Sequence, residues 1–129
     1  MGFDQYHEPP QELSAATRTF ARLCASLTEE AEAIGWYEQR ISVETDPEAA
    51  AIMRDAVGEE YKHFSMDLEF LLRRTPQWRE IAQGVLFQPG DIVENGETAE
   101  AASSEDGDGS SGPAQDGSLG IGSLKGATR

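Results

Sequence analysis

The stretch Met53-Arg54-Asp55-Ala56-Val57-Gly58-Glu59-Glu60-Tyr61-Lys62-His63-Phe64-Ser65-Met66-Asp67-Leu68 decides the fold class. Its apolar residues fall at 53, 56, 57, 64 and 68, the three-and-four spacing of one helix face, and Leu71 continues the stripe. Glu60 and His63 stand on that same stripe, with Asp67 one turn further along. A Glu-x-x-His pair at i and i+3 sets a carboxylate beside an imidazole, so the two can bind one ion or bridge two.

Upstream, Leu13, Ala16, Phe20, Leu23, Leu27, Glu30, Ile34, Tyr37 and Ile41 alternate spacings of three and four, a sustained heptad seam. Glu30 is its one charged member. No Gly or Pro interrupts residues 11–34, and Gly35 is the first helix-weakening residue, so the spacing predicts a helix of about 30 residues and roughly 45 Å. Thr45-Asp46-Pro47-Glu48 is a helix start, with Asp46 as cap before Pro47 or Thr45 and Glu48 as a capping box. The short connection at 42–45 predicts an antiparallel helical hairpin, its second helix running to about Arg74. Thr75-Pro76 opens a third, shorter helix carrying Trp78, Ile81, Ala82, Val85 and Leu86, and Gln88-Pro89-Gly90 ends it. The expected fold is therefore all-α.

Of the 129 residues, 1–90 read as one helical half-bundle, with the folded part reaching about residue 87. Residues 91–118 turn to Gly, Ser, Asp and Glu and are expected to be a disordered acidic linker, with a root-mean-square reach of roughly 30 Å. Residues 119–129 bring back Leu119, Ile121 and Leu124 between glycines, the pattern of a short segment made to be bound. A core built from two or three helices is thin, and oligomerisation is a common remedy.

The net charge is −14, with residues 1–90 at net −8 and 91–129 at net −6, so the folded part alone attracts cations or simply carries a solvated acidic surface. Nucleic acid and anionic membranes are excluded as partners by that charge. Cys24 is the only cysteine, which excludes an intrachain disulfide framework and points to a reducing, cytoplasmic setting with Cys24 as a small buried side chain. No apolar run reaches membrane-span length, the first residues lack the basic and apolar regions of a signal peptide, and Tyr6 stands where a myristoylation motif needs Ser or Thr.

Glu30, Glu60 and His63 admit two readings. One is a structural core closed by hydrogen bonds or salt bridges; the other is a metal site, because a buried unpaired carboxylate costs several kcal/mol unless protonated, paired or metal-bound. In ferritin-like bundles two helices each give a Glu and two others each give a Glu-x-x-His, and this chain carries half of that set. The donors suit iron, although imidazole also takes zinc, copper and nickel. Glu29 and Glu32 flank Glu30 as an acidic gateway or as solvated surface, and Tyr37 either hydrogen-bonds a ligand or packs. Trp36 and Trp78 read as core or interface aromatics. His7, in His7-Glu8-Pro9-Pro10, reads as an exposed histidine of the N-terminal arm.

The run Glu29-Glu30-Ala31-Glu32-Ala33-Ile34-Gly35-Trp36-Tyr37-Glu38-Gln39-Arg40, the Thr45-Asp46-Pro47-Glu48 turn and Glu59-Glu60-Tyr61-Lys62-His63 resemble the encapsulated ferritins. Leu119-Gly120-Ile121-Gly122-Ser123-Leu124-Lys125-Gly126 resembles the docking peptide that directs cargo into encapsulin nanocompartments. The resemblance implies a helical hairpin with a short third helix, pairing with a second copy into a four-helix ferritin-like bundle, with such dimers arranged in a ring. It implies that Glu30, Glu60 and His63 are the catalytic metal ligands, holding two iron ions at each dimer interface. Glu29 and Glu32 then form the gateway for incoming iron, Tyr37 and Trp36 are aromatics near the centre, and Leu119, Ile121 and Leu124 dock to the shell.

The activity so implied is ferroxidase: Fe²⁺ is oxidised with dioxygen and the product is stored in the lumen of an encapsulin shell, which an open ring needs because it has no sealed cavity of its own. Tyr61-Lys62, between Glu60 and His63, departs from the more charged residues often found in that family but leaves both implied ligands in place. The competing function is a non-catalytic, metal-binding helical cargo or adaptor protein.

Overall fold

A computed structural model describes residues 5–105. Among the described residues the chain is helical and carries no strand. A 3-10 turn at Pro10–Glu12 precedes α1 (Ala15–Val43), α2 (Pro47–Arg74), α3 (Pro76–Val85) and α4 (Ile92–Glu105).

α1 begins where Ser14 accepts a hydrogen bond from the Thr17 backbone N–H at 3.1 Å, so the seam's first member, Leu13, lies just outside the helix. The Arg18 guanidinium reaches back to the carbonyls of Pro10 at 3.0 Å and Leu13 at 3.1 Å, which ties the preceding turn to the helix. α1 passes through Gly35 and spans 29 residues, or about 43 Å. At the next start Asp46 is the cap: its Oδ1 accepts from the Ala49 N–H at 2.9 Å, while Glu44 accepts from the Asp46 N–H at 2.9 Å. Pro47 occupies the first helical position, where a missing N–H costs nothing. Three residues thus reverse the chain, and Glu30 of α1 meets His63 of α2. The two lie at similar distances from the turn, as in the expected antiparallel hairpin.

The chain divides into two compact units, one ending at Leu71 and the other beginning at Leu72. In the first, Phe20, Ala50, Val57 and Leu71 are buried. Leu23, Leu27, Ile34, Tyr37 and Ile41 on α1, and Met53, Phe64 and Leu68 on α2, are only half-buried. Two helices cover one flank of each other's stripe and leave the other flank open. The core is as thin as the length predicts.

The second unit corrects the expected domain boundaries. Residues 92–105, read from sequence as part of a disordered linker over 91–118, form α4, so the folded part extends well past residue 87. Two physical reasons account for it. Asp91 caps the helix, its Oδ1 accepting from the Glu94 N–H at 2.9 Å, and the Asn95 amide donates to the Pro89 carbonyl at 3.1 Å. The packing also uses small side chains: a Cβ on Gly84 of α3 would lie 2.5 Å from the Ala99 Cβ of α4, and Ser103 is buried. A search for bulky apolar residues misses a contact made by Gly, Ala and Ser. Between α3 and α4, Phe87 takes the left-handed conformation at φ 61°, a position usually given to glycine.

No helix among the described residues is long and apolar enough to cross a membrane. Residues 119–129, with Leu119, Ile121 and Leu124, lie outside the described residues.

Candidate metal centre

α1 supplies Glu30 and α2 supplies Glu60 and His63, and one ligand atom from each lies within 4.8 Å of the others. The helical register explains the grouping: 60 and 63 share a face of α2, and the hairpin turn brings Glu30 opposite them. His63 Nδ1 stands 3.5 Å from Glu30 Oε2 and 3.9 Å from Glu60 Oε2. These separations exceed good hydrogen bonds and leave room for an ion among the three donors.

Glu30 carries the electrostatic tension of the site. Burial pushes its carboxyl above the usual range, and the hydrogen bond and negative charge of Glu60, followed by the charge of Asp67, push it the same way against the opposing pull of His63. Its Oε2 is buried with no hydrogen-bond partner. Asp67 repeats the pattern one turn beyond His63: burial raises its carboxyl and its Oδ2 is a second buried, unpartnered oxygen. Orphaned carboxylate oxygens beside an imidazole fit a divalent cation, and the mixed carboxylate and imidazole set suits iron.

In the single chain the centre is partly open. The Glu30 and Glu60 side chains are 18% and 25% exposed, but His63 is 46% exposed, so the group opens to solvent on one side of the hairpin.

The other sequence candidates fall around this group. Glu29 and Glu32 are exposed on α1. Tyr37 is half-buried, two turns beyond Glu30, with the Arg40 guanidinium 5.5 Å from its ring centre, and Trp36 is 52% exposed, so it is not a core residue of the chain. Trp78 is half-buried in the second unit, His7 is exposed ahead of the 3-10 turn, and burial raises the thiol of the half-buried Cys24. Sequence reading gave Glu59 no role, yet its carboxylate lies 4.0 Å from His63 Nε2 and is ion-paired with Lys62, whose hydrogen bond and charge lower it. The i to i+4 spacing of Glu59 and His63 was the available signal.

Comparison with known proteins agrees with this architecture. The model of the EncFtn-like family matches residues 5–89. An "Encapsulated ferritin-like protein" of Rhodospirillum rubrum is 42% identical over 127 residues, covering 93% of this chain and 87% of that protein. A "Ferritin-like protein" of Thermotoga maritima is 42% identical over 91 residues, 70% of this chain and 80% of its own. Among solved structures, protein ne0167 from Nitrosomonas europaea superposes with a TM-score of 0.67 at 39% identity, covering 70% of this chain and 99% of that one.

Proposed function

This chain belongs to the EncFtn-like family, and from that premise we propose that it is a ferroxidase whose metal centre is completed by a second copy. The observation that carries the reading is the Glu30, Glu60 and His63 group, three donors within 4.8 Å on a hairpin face left partly open. One chain provides two carboxylates and one imidazole. Two chains related by a two-fold axis provide four carboxylates and two imidazoles, the donor set of a dinuclear ferritin-like site.

Pairing also answers the thin core. The half-buried flanks of α1 and α2 lie along the same seam as the ligands, so a partner hairpin covers the apolar residues and encloses the centre together. Dimers of this kind assemble into a ring.

Fe²⁺ is the substrate: when bound, each ion gives up one electron, and dioxygen is the acceptor. The chain's own part is to hold and tune. Glu30 and Glu60 would bind the ions and offset their charge, His63 would complete the donor set of each, and the burial and neighbouring charge that raise the Glu30 carboxyl would make a cation compete with a proton there. Glu29 and Glu32, exposed beside Glu30, draw iron toward the centre. Residues 119–129 dock the protein inside an encapsulin shell in the cytoplasm, where the oxidised iron is stored.

The test is oxygen uptake on mixing anaerobic Fe²⁺ with the protein in aerated buffer. Rapid uptake that saturates with the amount of protein supports the reading. Uptake no faster than that of iron in buffer alone overturns it in favour of a passive metal binder.

A further inference from the structure

The chain on either side of the α3–α4 turn exposes four apolar side chains. Leu86, Phe87, Ile92 and Val93 are 42%, 103%, 72% and 72% exposed. Phe87 is held there by a left-handed backbone at φ 61°, which turns its whole ring into solvent. Beside them Asp91, Glu94 and Glu97 are exposed and acidic, and α4 contains no basic residue. The turn is thus apolar with an acidic flank.

The segment with complementary chemistry is in the same chain. Residues 91–117 contain acidic side chains and no basic ones, whereas 118–129 contain Lys125 and Arg129, no acidic residue, and the aliphatic Leu119, Ile121 and Leu124. The connecting length matches as well. α4 separates the apolar turn from Glu105 by 14 residues, or about 20 Å. Thirteen residues separate Glu105 from Leu119, and a flexible chain of that length and Gly/Ser-rich composition has a root-mean-square reach of about 20 Å.

We propose that the apolar α3–α4 turn is a docking seat for the chain's own C-terminal segment, with Leu119, Ile121 and Leu124 against Leu86, Phe87, Ile92 and Val93, and Lys125 and Arg129 against the acidic flank of α4. Tethering supplies an effective concentration in the millimolar range, so a contact too weak to form between separate molecules is populated within one. The seat stands on this complementarity alone. Its regulatory consequence rests on the proposed shell role of the same segment: the folded unit then holds the address until a shell competes for it.

Hydrogen exchange read by mass spectrometry over residues 86–94 tests the seat in the full chain. Wild type is compared with the combined variant Leu119→Ser, Ile121→Ser, Leu124→Ser and with Lys125→Glu, Arg129→Glu. The expected result is exchange about three- to tenfold slower in wild type than in the serine variant, with an intermediate rate in the charge variant at low salt that salt brings wild type toward. Equal exchange in all three proteins overturns the proposal. So does protection that survives both variants and grows with protein concentration, which makes the turn an interface between copies. Neither result depends on shell loading, so failure of the seat and failure of the shell reading are told apart.

Discussion

Glu30 Oε2 and His63 Nδ1 face each other across the hairpin at 3.5 Å, from helices joined by a three-residue turn. That oxygen has no hydrogen-bond partner and is buried, while the imidazole opposite it is nearly half exposed. The pair is therefore poorly satisfied by protein groups, and a cation placed between donors of this kind removes the deficit.

Removing a donor should accordingly remove the activity. Glu30→Ala, Glu60→Ala and His63→Ala would each delete two of the six ligands from the proposed symmetric centre. Their iron-oxidation rates are expected to fall by more than about 100-fold, the upper end of what even an outer-shell partner of a ligand costs. Glu32→Ala changes the rate several-fold and leaves the site intact. Stopped-flow absorbance on proteins of unchanged oligomeric state checks both outcomes.

The raised Glu30 carboxyl predicts how stability depends on pH without metal. An unfolded Glu ionises near pH 4.3, whereas folded Glu30 keeps its proton to higher pH because burial and Glu60 oppose its charge. Between those points the unfolded state binds fewer protons than the native one, so this group lowers stability as pH rises through the interval. Asp67 acts in the same direction, and Glu59, whose carboxyl Lys62 lowers, acts in the opposite one. The contrast with Glu30→Gln isolates the effect: the variant's thermal midpoint should gain on wild type as pH rises from 4 to 7 in chelator, and the gain should vanish with divalent metal.

Gly84 tests the second unit. A Cβ there would sit 2.5 Å from the Ala99 Cβ, more than an ångström inside ordinary carbon contact, and the atom it meets is fixed to the backbone of α4. Gly84→Ala gains about 1 kcal/mol of helix propensity. Overpacking costs about 1–3 kcal/mol, and this contact belongs at the upper end, so the variant should lose α3–α4 packing. Faster amide exchange in α4, with α1 and α2 unchanged, is the expected readout.

Deleting residues 118–129 should abolish loading into a co-expressed encapsulin shell, because Leu119, Ile121 and Leu124 gain free energy only where a partner supplies pockets. Fusing the same 12 residues to an unrelated soluble protein should load that protein instead. Co-purification of the truncated chain inside shells would place recognition elsewhere.

What the sequence made legible follows one rule. Helices α1 and α2, their turn and the grouping of Glu30, Glu60 and His63 followed from periodicity, because long amphipathic helices and charged residues on an apolar stripe leave strong patterns. At that turn the sequence offers two starts, Asp46 before Pro47 or a capping box of Thr45 and Glu48, and the Asp46 side chain takes the cap. α4 was missed because it is held by an Asp cap and by the close approach of Gly84 to Ala99, with Ser103 buried, and none of these is a bulky apolar residue. Glu59 was passed over because its neighbour Glu60 fitted the ligand motif. The openness of the centre at His63 is a property of the single hairpin that no stripe of residues reveals.

The central claim is that Glu30, Glu60 and His63 of one chain are half of a two-iron centre. Iron-loaded crystals measured at the iron absorption edge test it most directly. The account predicts two anomalous peaks related by a two-fold axis, each within bonding distance of carboxylates from both chains and of one His63. A single iron held by Glu30, Glu60 and His63 of one chain alone, with no second copy across it, would contradict the account.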